Sequence, residues 1–149
     1  MKLKVVYVDM DDVLVDFQSG IDSLSDEERE VYKDNIDNAP GIFSKMQPLD
    51  GAIEGYKKLT EYFDVYILST APWNNPSAWS DKLLWVQKHL GDIAYKRLIL
   101  SSNKHLNAGD YLIDDRTANG ASDFKGEHIH FLTEKFKNWD DVLNYLMPK

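Results

Sequence analysis

The amino-acid sequence predicts an α/β fold with a mostly parallel sheet flanked by helices, arranged as one domain over residues 1–149. Short apolar runs alternate with helix-prone segments, which is typical of parallel strands joined by helical crossovers. The run Leu3–Val8 is rich in β-branched residues and indicates a strand that is buried on both faces. The length of the chain also suits a single domain with a complete core.

The elements after this first strand follow in a regular order. A helix is predicted over Gly51–Phe63, because its apolar side chains recur at helical spacing. A second helix begins at Asn74–Pro76, with proline in its first turn, and ends at Gly91. Asn138 is predicted to cap a last helix. The remaining strands are predicted at Val65–Leu68, Arg97–Leu100, Tyr111–Ile113 and His128–Phe131.

One segment, residues 17–47, does not fit this alternation. It is polar and helix-prone, and it leaves the sheet directly after the first strand. Ser25 followed three residues later by Glu28 predicts a helix start with a capping box. The stretch Asn38–Gly41 then breaks the pattern. We therefore expect a small helical insertion within the single domain.

Composition excludes several classes of function. The chain has no cysteine, which excludes disulfides, thiolate catalysis and cysteine-ligated zinc. Its formal net charge of −8 disfavours long nucleic acids as partners, since their phosphates are repelled. The apolar runs are too short to span a bilayer, and the N-terminus lacks the pattern of a signal peptide. We expect a cytoplasmic protein. A small phosphorylated substrate could still bind if local cations outweigh the negative net charge. The sequence leaves its oligomeric state open.

Two acidic clusters follow two of the predicted strands. Asp9, Asp11 and Asp12 come directly after the first strand, and Asp114 and Asp115 end a later one. Carboxylates that crowd together raise one another's pKa and destabilise the fold unless a cation lies between them. In an open parallel sheet the carboxyl ends of the strands form the ligand-binding edge. The pattern therefore predicts one divalent-cation site built from both clusters.

Other reactive groups are expected at the same edge. Ser69 and Thr70 follow the second strand, and Lys104 follows the third. Carboxylates can attack phosphorus, hydroxyl groups can hold phosphate oxygens, lysine can neutralise charge and magnesium can bridge protein and phosphate. Together these residue types predict phosphoryl transfer.

The order of these motifs resembles the haloacid dehalogenase (HAD) superfamily. The matching motifs are Asp9-x-Asp11-x-Val13, then Ser69 and Thr70, then Lys104, then the pair Asp114–Asp115. Residues 9–17, 47–52, 79–91 and 109–116 further resemble the 5'(3')-deoxyribonucleotidases. The resemblance implies a Rossmann-like, HAD-type sheet, with residues 17–47 as a reduced cap.

The resemblance also implies a role for each matching residue. Asp9 would be the nucleophile that forms an aspartyl-phosphate, and Asp11 the general acid and base. Mg²⁺ would be held by the carboxylates of Asp9 and Asp115 and by the backbone carbonyl of Asp11. The remaining roles lie on the substrate side. Ser69 and Lys104 would hold the phosphoryl group, Thr70 and Lys82 would add contacts near it, and Phe17 would line the nucleoside side, with Phe43 a weaker candidate.

The sequence departs from the family pattern at two positions and in the size of its cap. Asp12 stands where the family usually has glycine, and Ala71 where it has proline. The insertion is also shorter than in the animal deoxyribonucleotidases, which leaves the identity of the substrate open.

Alternatives stay open at this point. Another small phosphate ester, such as a sugar phosphate, would require the same chemistry. A phospho-accepting domain of the receiver type would also cluster acids, a hydroxyl and a lysine, although in a different order. Lys82 fits a solvated helix face as well as a substrate contact. We expect Arg116 to form a surface ion pair, and His128 and His130 to be half-exposed strand residues rather than metal ligands.

Overall fold

The computed structural model describes residues 2–149. The strands are β1 (Val5–Val8), β2 (Val15–Asp16), β3 (Gln47–Pro48), β4 (Asp64–Ser69), β5 (Leu98–Leu100), β6 (Tyr111–Asp114) and β7 (Glu127–His130). The helices are α1 (Phe17–Asp22), α2 (Asp26–Val31), α3 (Ala52–Thr60), α4 (Pro76–His89) and α5 (Trp139–Leu146). Short 3₁₀ turns lie at Ile36–Asn38, Ile42–Ser44, Gly91–Ala94, Lys104–Leu106 and Ala121–Asp123.

The main sheet confirms the predicted α/β fold. Its five strands lie in the order β5-β4-β1-β6-β7, and every neighbouring pair is parallel. β1 occupies the centre, between β4 and β6. The residues that follow β1, β4 and β6 therefore meet at one edge, which is where the acidic clusters were predicted to converge.

The two faces of this sheet are covered differently. Side chains of α3, α4 and α5 join the larger core cluster on one face, with Tyr56, Trp85 and Trp139 among them. On the other face, Tyr7 and Leu112 pack in a smaller cluster with Ala121 and Phe124. The crossovers from β5 to β6 and from β6 to β7 carry only 3₁₀ turns. Right-handed crossovers cover opposite faces of a sheet when they run in opposite directions along it. The crossovers to β6 and β7 run opposite to those to β4 and β5, so they cover the second face, and they contain no α-helix.

The predicted insertion begins and ends at a small ladder that the sequence did not indicate. β2 and β3 pair antiparallel, with Val15 opposite Pro48 and Asp16 opposite Gln47. Two-residue strands are too short to show a periodic pattern in sequence. Between them lie α1, α2 and two 3₁₀ turns. The capping box predicted at Ser25 is present and starts α2.

The other predicted ends agree closely with the structure. Asn138 caps α5 by accepting a hydrogen bond from the backbone N–H of Asp141. α4 begins at Pro76 and ends at His89, just before Gly91, whose φ of 59° starts a 3₁₀ turn. None of the helices within residues 2–149 combines the length and the apolar character needed to cross a bilayer.

Candidate active site

The loop after β1 is held tightly by backbone hydrogen bonds. The N–H of Asp9 donates to the carbonyl of Ile113 at 2.9 Å, which ties the loop to β6. The carbonyl of Met10 accepts from the N–H groups of three residues that follow it, Val13, Leu14 and Val15. Asp12 has a φ of 59°, a left-handed conformation that glycine adopts without strain and aspartate tolerates. This conformation gives a physical reason for the glycine expected there.

Three carboxylates meet where β1 and β6 end. One oxygen from each of Asp9, Asp114 and Asp115 lies within 4.8 Å of the others. Asp115 Oδ1 is buried, and no hydrogen-bond partner reaches it among the described residues. Burial, followed by the charges of Asp9 and Asp114, raises the pKa of Asp115 to about 8. An orphaned buried oxygen among acids fits a hard divalent cation, which takes oxygen ligands.

Lys104 lies between two of these acids. Its side chain is buried, with 3% of the residue exposed. Nζ donates to Asp9 Oδ1 at 3.0 Å and to Asp114 Oδ2 at 2.6 Å. Burial opposes the charge, but the carboxylates of Asp9 and Asp114 outweigh it and raise the pKa of Lys104. Lys104 is therefore a buried cation at the acidic edge and not a surface lysine.

Asp114 and Asp115 are adjacent in sequence but differ in how their oxygens are used. Asp114 Oδ2 accepts from Lys104, and Oδ1 accepts from the backbone N–H of Arg116 at 3.0 Å. Both oxygens of Asp114 are thus engaged by protein donors, whereas Asp115 Oδ1 has none. This difference favours Asp115 over Asp114 as a cation ligand.

Lys82 forms a second buried group beside the first. It lies on α4 with 0% exposed, which rules out the solvated alternative. Nζ donates to Asp11 Oδ1 at 3.0 Å and to Ser69 Oγ at 2.8 Å, and it lies 4.5 Å from the centre of the Phe43 ring. Burial raises the pKa of Asp11, while the charge of Lys82 opposes that rise. The two buried lysines thus face different carboxylates: Lys104 bonds Asp9 and Asp114, and Lys82 bonds Asp11.

Thr70 and Phe17 take positions at the border of this group. The hydroxyl of Thr70 donates to the carbonyl of Ser101 at 2.7 Å, so its proton is used to fix the loop after β5. Phe17 packs edge-on against Phe43 with ring centres 5.9 Å apart, and Phe43 in turn covers Lys82. Thr70 lines the cavity, whereas Phe17 reaches the site through Phe43.

His128 and His130 lie on β7, next to the acidic end of β6. Nε2 of His128 lies 3.0 Å from the carbonyl oxygen of Asp114, and Nε2 of His130 lies 3.0 Å from that of Asp115. Only a protonated nitrogen can bond a carbonyl oxygen, so both Nε2 atoms carry hydrogen and donate. The half-buried histidines therefore contact the backbone of the acidic pair and not its carboxylates.

A cavity of about 370 Å³ opens over these groups. Asp9, Asp11, Lys104 and Asp114 lie in its wall. Thr70 lies in the wall as well, and the sequence analysis gave no site role to the remaining polar or aromatic residues there; they are Asp37, Trp73, Ser102, Arg116 and Asn119. A larger groove of about 630 Å³ between α4 and β5 has a mainly apolar lining that includes none of the predicted site residues.

Two residues of the cavity wall merit separate description. Trp73 is 83% exposed, so its ring faces solvent beside the cavity and does not pack in the core. The only advance signal was its position three residues after Thr70. The surface ion pair expected for Arg116 is wrong: within residues 2–149 its side chain has no acidic partner, and it borders the cavity.

The comparison with family models decides the family. The model described as "5' nucleotidase, deoxy (Pyrimidine), cytosolic type C protein" matches residues 21–146. The chain belongs to this family. Its sequence resemblance to the HAD superfamily and to the deoxyribonucleotidases is thereby confirmed, and the protein is an enzyme of the phosphatase and nucleotidase class.

Similar sequences within this nucleotidase family span nearly the whole chain. A protein of Vibrio phage KVP40, provisionally named 5'(3')-deoxyribonucleotidase, is 61% identical over 142 residues, which cover 95% of this chain and 84% of the relative. A Bordetella pertussis protein with the same provisional name is 30% identical over 176 residues and covers 93% and 95%.

Solved structures support the fold. The provisionally named HAD-hydrolase YfnB of Bacillus subtilis, solved with magnesium bound, superimposes with a TM-score of 0.63 at 13% identity and covers 99% of this chain and 100% of that chain. A haloacid dehalogenase-like hydrolase of Streptococcus pneumoniae gives a TM-score of 0.55 at 13% identity, with 97% and 91% covered. At this identity the similarity establishes the HAD-type fold alone.

Proposed function

We propose that this protein is a magnesium-dependent phosphomonoesterase that hydrolyses 5'(3')-deoxyribonucleotides through an aspartyl-phosphate on Asp9. The observation that carries the proposal is the orphaned buried oxygen of Asp115, which lies close to the carboxylate of Asp9. Asp9 in turn lines a polar cavity. The nucleotidase family supports a nucleotide as the substrate.

Asp9 and Asp115 would hold Mg²⁺ through their carboxylates, and Asp11 through its backbone carbonyl. Magnesium keeps several waters and needs few protein ligands, so this sparse set suits it. When bound, the ion supplies positive charge to the phosphate oxygens and to the surrounding acids. Asp114 would act through Lys104, because its own oxygens are engaged by protein donors.

Asp9 is proposed as the nucleophile. Oδ1 accepts from Lys104, which orients the carboxylate toward the cavity. An oxygen of Asp9 attacks phosphorus, a new O–P bond forms, and the ester O–P bond breaks. In the second half, a water oxygen attacks the same phosphorus, the acyl-phosphate O–P bond breaks, and phosphate leaves. The carboxylate of Asp9 is then regenerated.

Asp11 is proposed to move the proton in both halves. It donates a proton to the leaving ester oxygen and later accepts one from the attacking water. This requires Asp11 to be partly protonated near neutral pH. Burial raises the pKa of Asp11 in that direction, and Lys82 at 3.0 Å limits the rise. The two effects together suit a group that must both give and take a proton.

The phosphoryl group would be held by Ser69 and Lys104, with Lys82 adding charge nearby. Lys82 bonds both Ser69 and Asp11, so it couples the phosphate-binding hydroxyl to the proton-transfer group. Thr70 would contribute through the loop that its hydroxyl fixes. Phe17 would line the nucleoside side of the site together with Phe43, against which its ring packs.

A panel of phosphate esters assayed with Mg²⁺ tests the function. We expect the highest kcat/KM for 5'- and 3'-deoxynucleotides, loss of turnover in EDTA and recovery with added Mg²⁺. A preference for sugar phosphates would replace the substrate but keep the chemistry. Metal-independent turnover would contradict the magnesium site.

The proton-transfer role of Asp11 is tested by Asp11→Asn on two kinds of ester. We expect a loss of about 10²–10⁴-fold for deoxynucleotides, whose leaving oxygen needs a proton. The loss should be smaller for an activated aryl phosphate, whose leaving group departs without one. Equal losses on both esters would argue against general acid catalysis by Asp11.

A further inference from the structure

A chain of hydrogen bonds joins the inserted segment to the start of α4. Asn75 Nδ2 donates to the carbonyl oxygens of Asp37 at 2.9 Å and Ala39 at 3.1 Å. Ser77 Oγ donates to Asn75 Oδ1 at 2.6 Å, and the N–H of Gly41 donates to Ser77 Oγ at 3.0 Å. We call Asn75 and Ser77, with these bonds, the Asn75–Ser77 clasp. It joins parts of the chain that are 36 to 38 residues apart.

Asn75 is devoted to this contact. It is 1% exposed and precedes the first residue of α4. Asparagine at this position usually accepts a hydrogen bond from a backbone N–H in the first turn of its own helix, but Asn75 Oδ1 accepts from the hydroxyl of Ser77 instead. Its nitrogen faces two carbonyl oxygens, so the orientation of the amide is fixed by its donors. The side chain therefore joins the inserted segment to the helix and does not cap the helix backbone.

The clasp lies at the rim of the cavity. Asp37, whose carbonyl accepts from Asn75, lines the cavity from the insertion. Trp73, two residues before Asn75, lines it from the loop after β4. A separate bond, from Trp85 Nε1 to the carbonyl of Met46 at 2.9 Å, holds the insertion near its base. The clasp thus fixes the rim, whereas Trp85 fixes the base.

We propose that the Asn75–Ser77 clasp is a positioning device that sets the gap between Asp37 and Trp73 and so selects the leaving group of the substrate. This inference rests on the proposed function, because a gap at the rim matters only for esters that extend beyond the phosphate. The clasp contacts none of the groups at the phosphate end, since the lysine–carboxylate bonds there do not involve Asn75 or Ser77.

The test compares a large and a small ester in Asn75→Ala. We expect KM for a deoxynucleotide to rise about tenfold, the scale of one buried hydrogen bond. The kcat for p-nitrophenyl phosphate should stay within about twofold of the wild type. Ser77→Ala should shift KM in the same direction by less, because Asn75 keeps its two carbonyl contacts.

Ser80→Ala is the matched control. Ser80 lies on the same helix, is exposed, and donates to the carbonyl of Ser77 at 3.2 Å without contacting the insertion. Its kinetics should equal those of the wild type. Parallel losses on both esters in Asn75→Ala, or unchanged values on both, would overturn the proposal.

Amide hydrogen exchange separates failure of the clasp from failure of the proposed function. Residues 36–44 should exchange faster in Asn75→Ala and Ser77→Ala than in Ser80→Ala, whatever the substrate is. If the wild type prefers another ester, the same comparison is made with that ester. Unchanged exchange in both clasp variants would overturn the proposal even if deoxynucleotides prove to be the substrates.

Discussion

The proposed catalytic edge, where β1 and β6 end, and the rim of the cavity, where the inserted segment meets the start of α4, hold their polar groups in different ways. At the edge, Lys104 and Lys82 are buried and bond carboxylates directly. At the rim, neutral side chains bond backbone carbonyls, and Trp73 is left facing solvent. Removing one partner of a buried ion pair costs much stability, because the other charge is left buried and unpaired. A single neutral hydrogen bond to the backbone contributes less free energy. Most substitutions at the edge should therefore lower activity on every ester. Many substitutions at the rim should keep the activity and change the preference between large and small esters.

The largest expected effect comes from the edge. Asp9→Asn removes the proposed nucleophile and should lower kcat by about 10⁴-fold or more for every ester tested. The fold should persist, because Lys104 keeps its bond to Asp114. Phosphate release measures the rate, and circular dichroism checks the fold. Retained turnover in a folded variant would remove Asp9 from this role.

Lys82→Met should have a smaller effect but still act on all esters. It removes the cation that bonds Asp11 and Ser69 and keeps an apolar chain of similar length under Phe43. We expect kcat/KM to fall about 10–100-fold, which corresponds to the loss of one hydrogen bond to a charged group whose buried partner is left unpaired. Lys88→Met, an exposed position on the same helix, is the control. If only large esters lose activity, Lys82 acts on the leaving group and not on the phosphoryl group, which would contradict its proposed role.

Trp73→Ala tests the rim alone and should affect large esters more than small ones. The exposed ring borders the cavity without contacting the lysine–carboxylate pairs. Its loss should raise KM for deoxynucleotides by about 5–10-fold, the lower end of the range for base–aromatic stacking, and leave kcat and KM for small esters unchanged. Steady-state kinetics on both substrates decide the matter. A fall in kcat for small esters would contradict the separation of rim and edge.

The smallest effect is a dependence of stability on pH, confined to the edge. The pKa of Asp115 is about 8, above its ordinary value, so the folded state holds a proton that the unfolded state has lost. The free energy of unfolding should therefore fall as pH rises from about 7.5 to 8.5. Burial lowers the pKa values of His128 and His89, and their opposite contribution is nearly complete below this range, where the unfolded histidines have lost their protons.

Melting temperatures measured in EDTA across this range test the sign. The decline should be weaker in Asp115→Asn, which has no carboxyl group to titrate, and weaker with Mg²⁺ than in EDTA, because a bound cation replaces the proton. Trp73→Ala should retain the wild-type decline. A melting temperature that rises between about pH 7.5 and 8.5 in EDTA would contradict the expected protonation of Asp115.

The same contrast explains how much the sequence could predict. Asp9, Lys104 and Asp115 each follow a recognisable strand, and the topology of parallel sheets brings strand ends together. Asp37 and Asn75 meet only because the inserted segment folds back over α4, and their sequence spacing carries no sign of that. The burial of Lys82 could not be predicted either, because the residues that cover it, Asp11, Ser69 and Phe43, come from three separate segments of the chain. The fold and the convergence of the acidic strand ends were therefore largely predictable from the sequence, and the contacts at the rim were not.

The short ladder between β2 and β3 has a consequence for engineering. It brings the two ends of the inserted segment side by side, and the N–H of Leu49 adds a bond to the carbonyl of Leu14 at 2.8 Å just below it. A segment whose ends already adjoin can be exchanged as a cassette without altering the order of strands in the sheet. A longer loop grafted between Asp16 and Gln47 would thus change the rim of the cavity and leave the proposed catalytic aspartates in place, provided that the graft keeps an aromatic side chain over Lys82 where Phe43 lies.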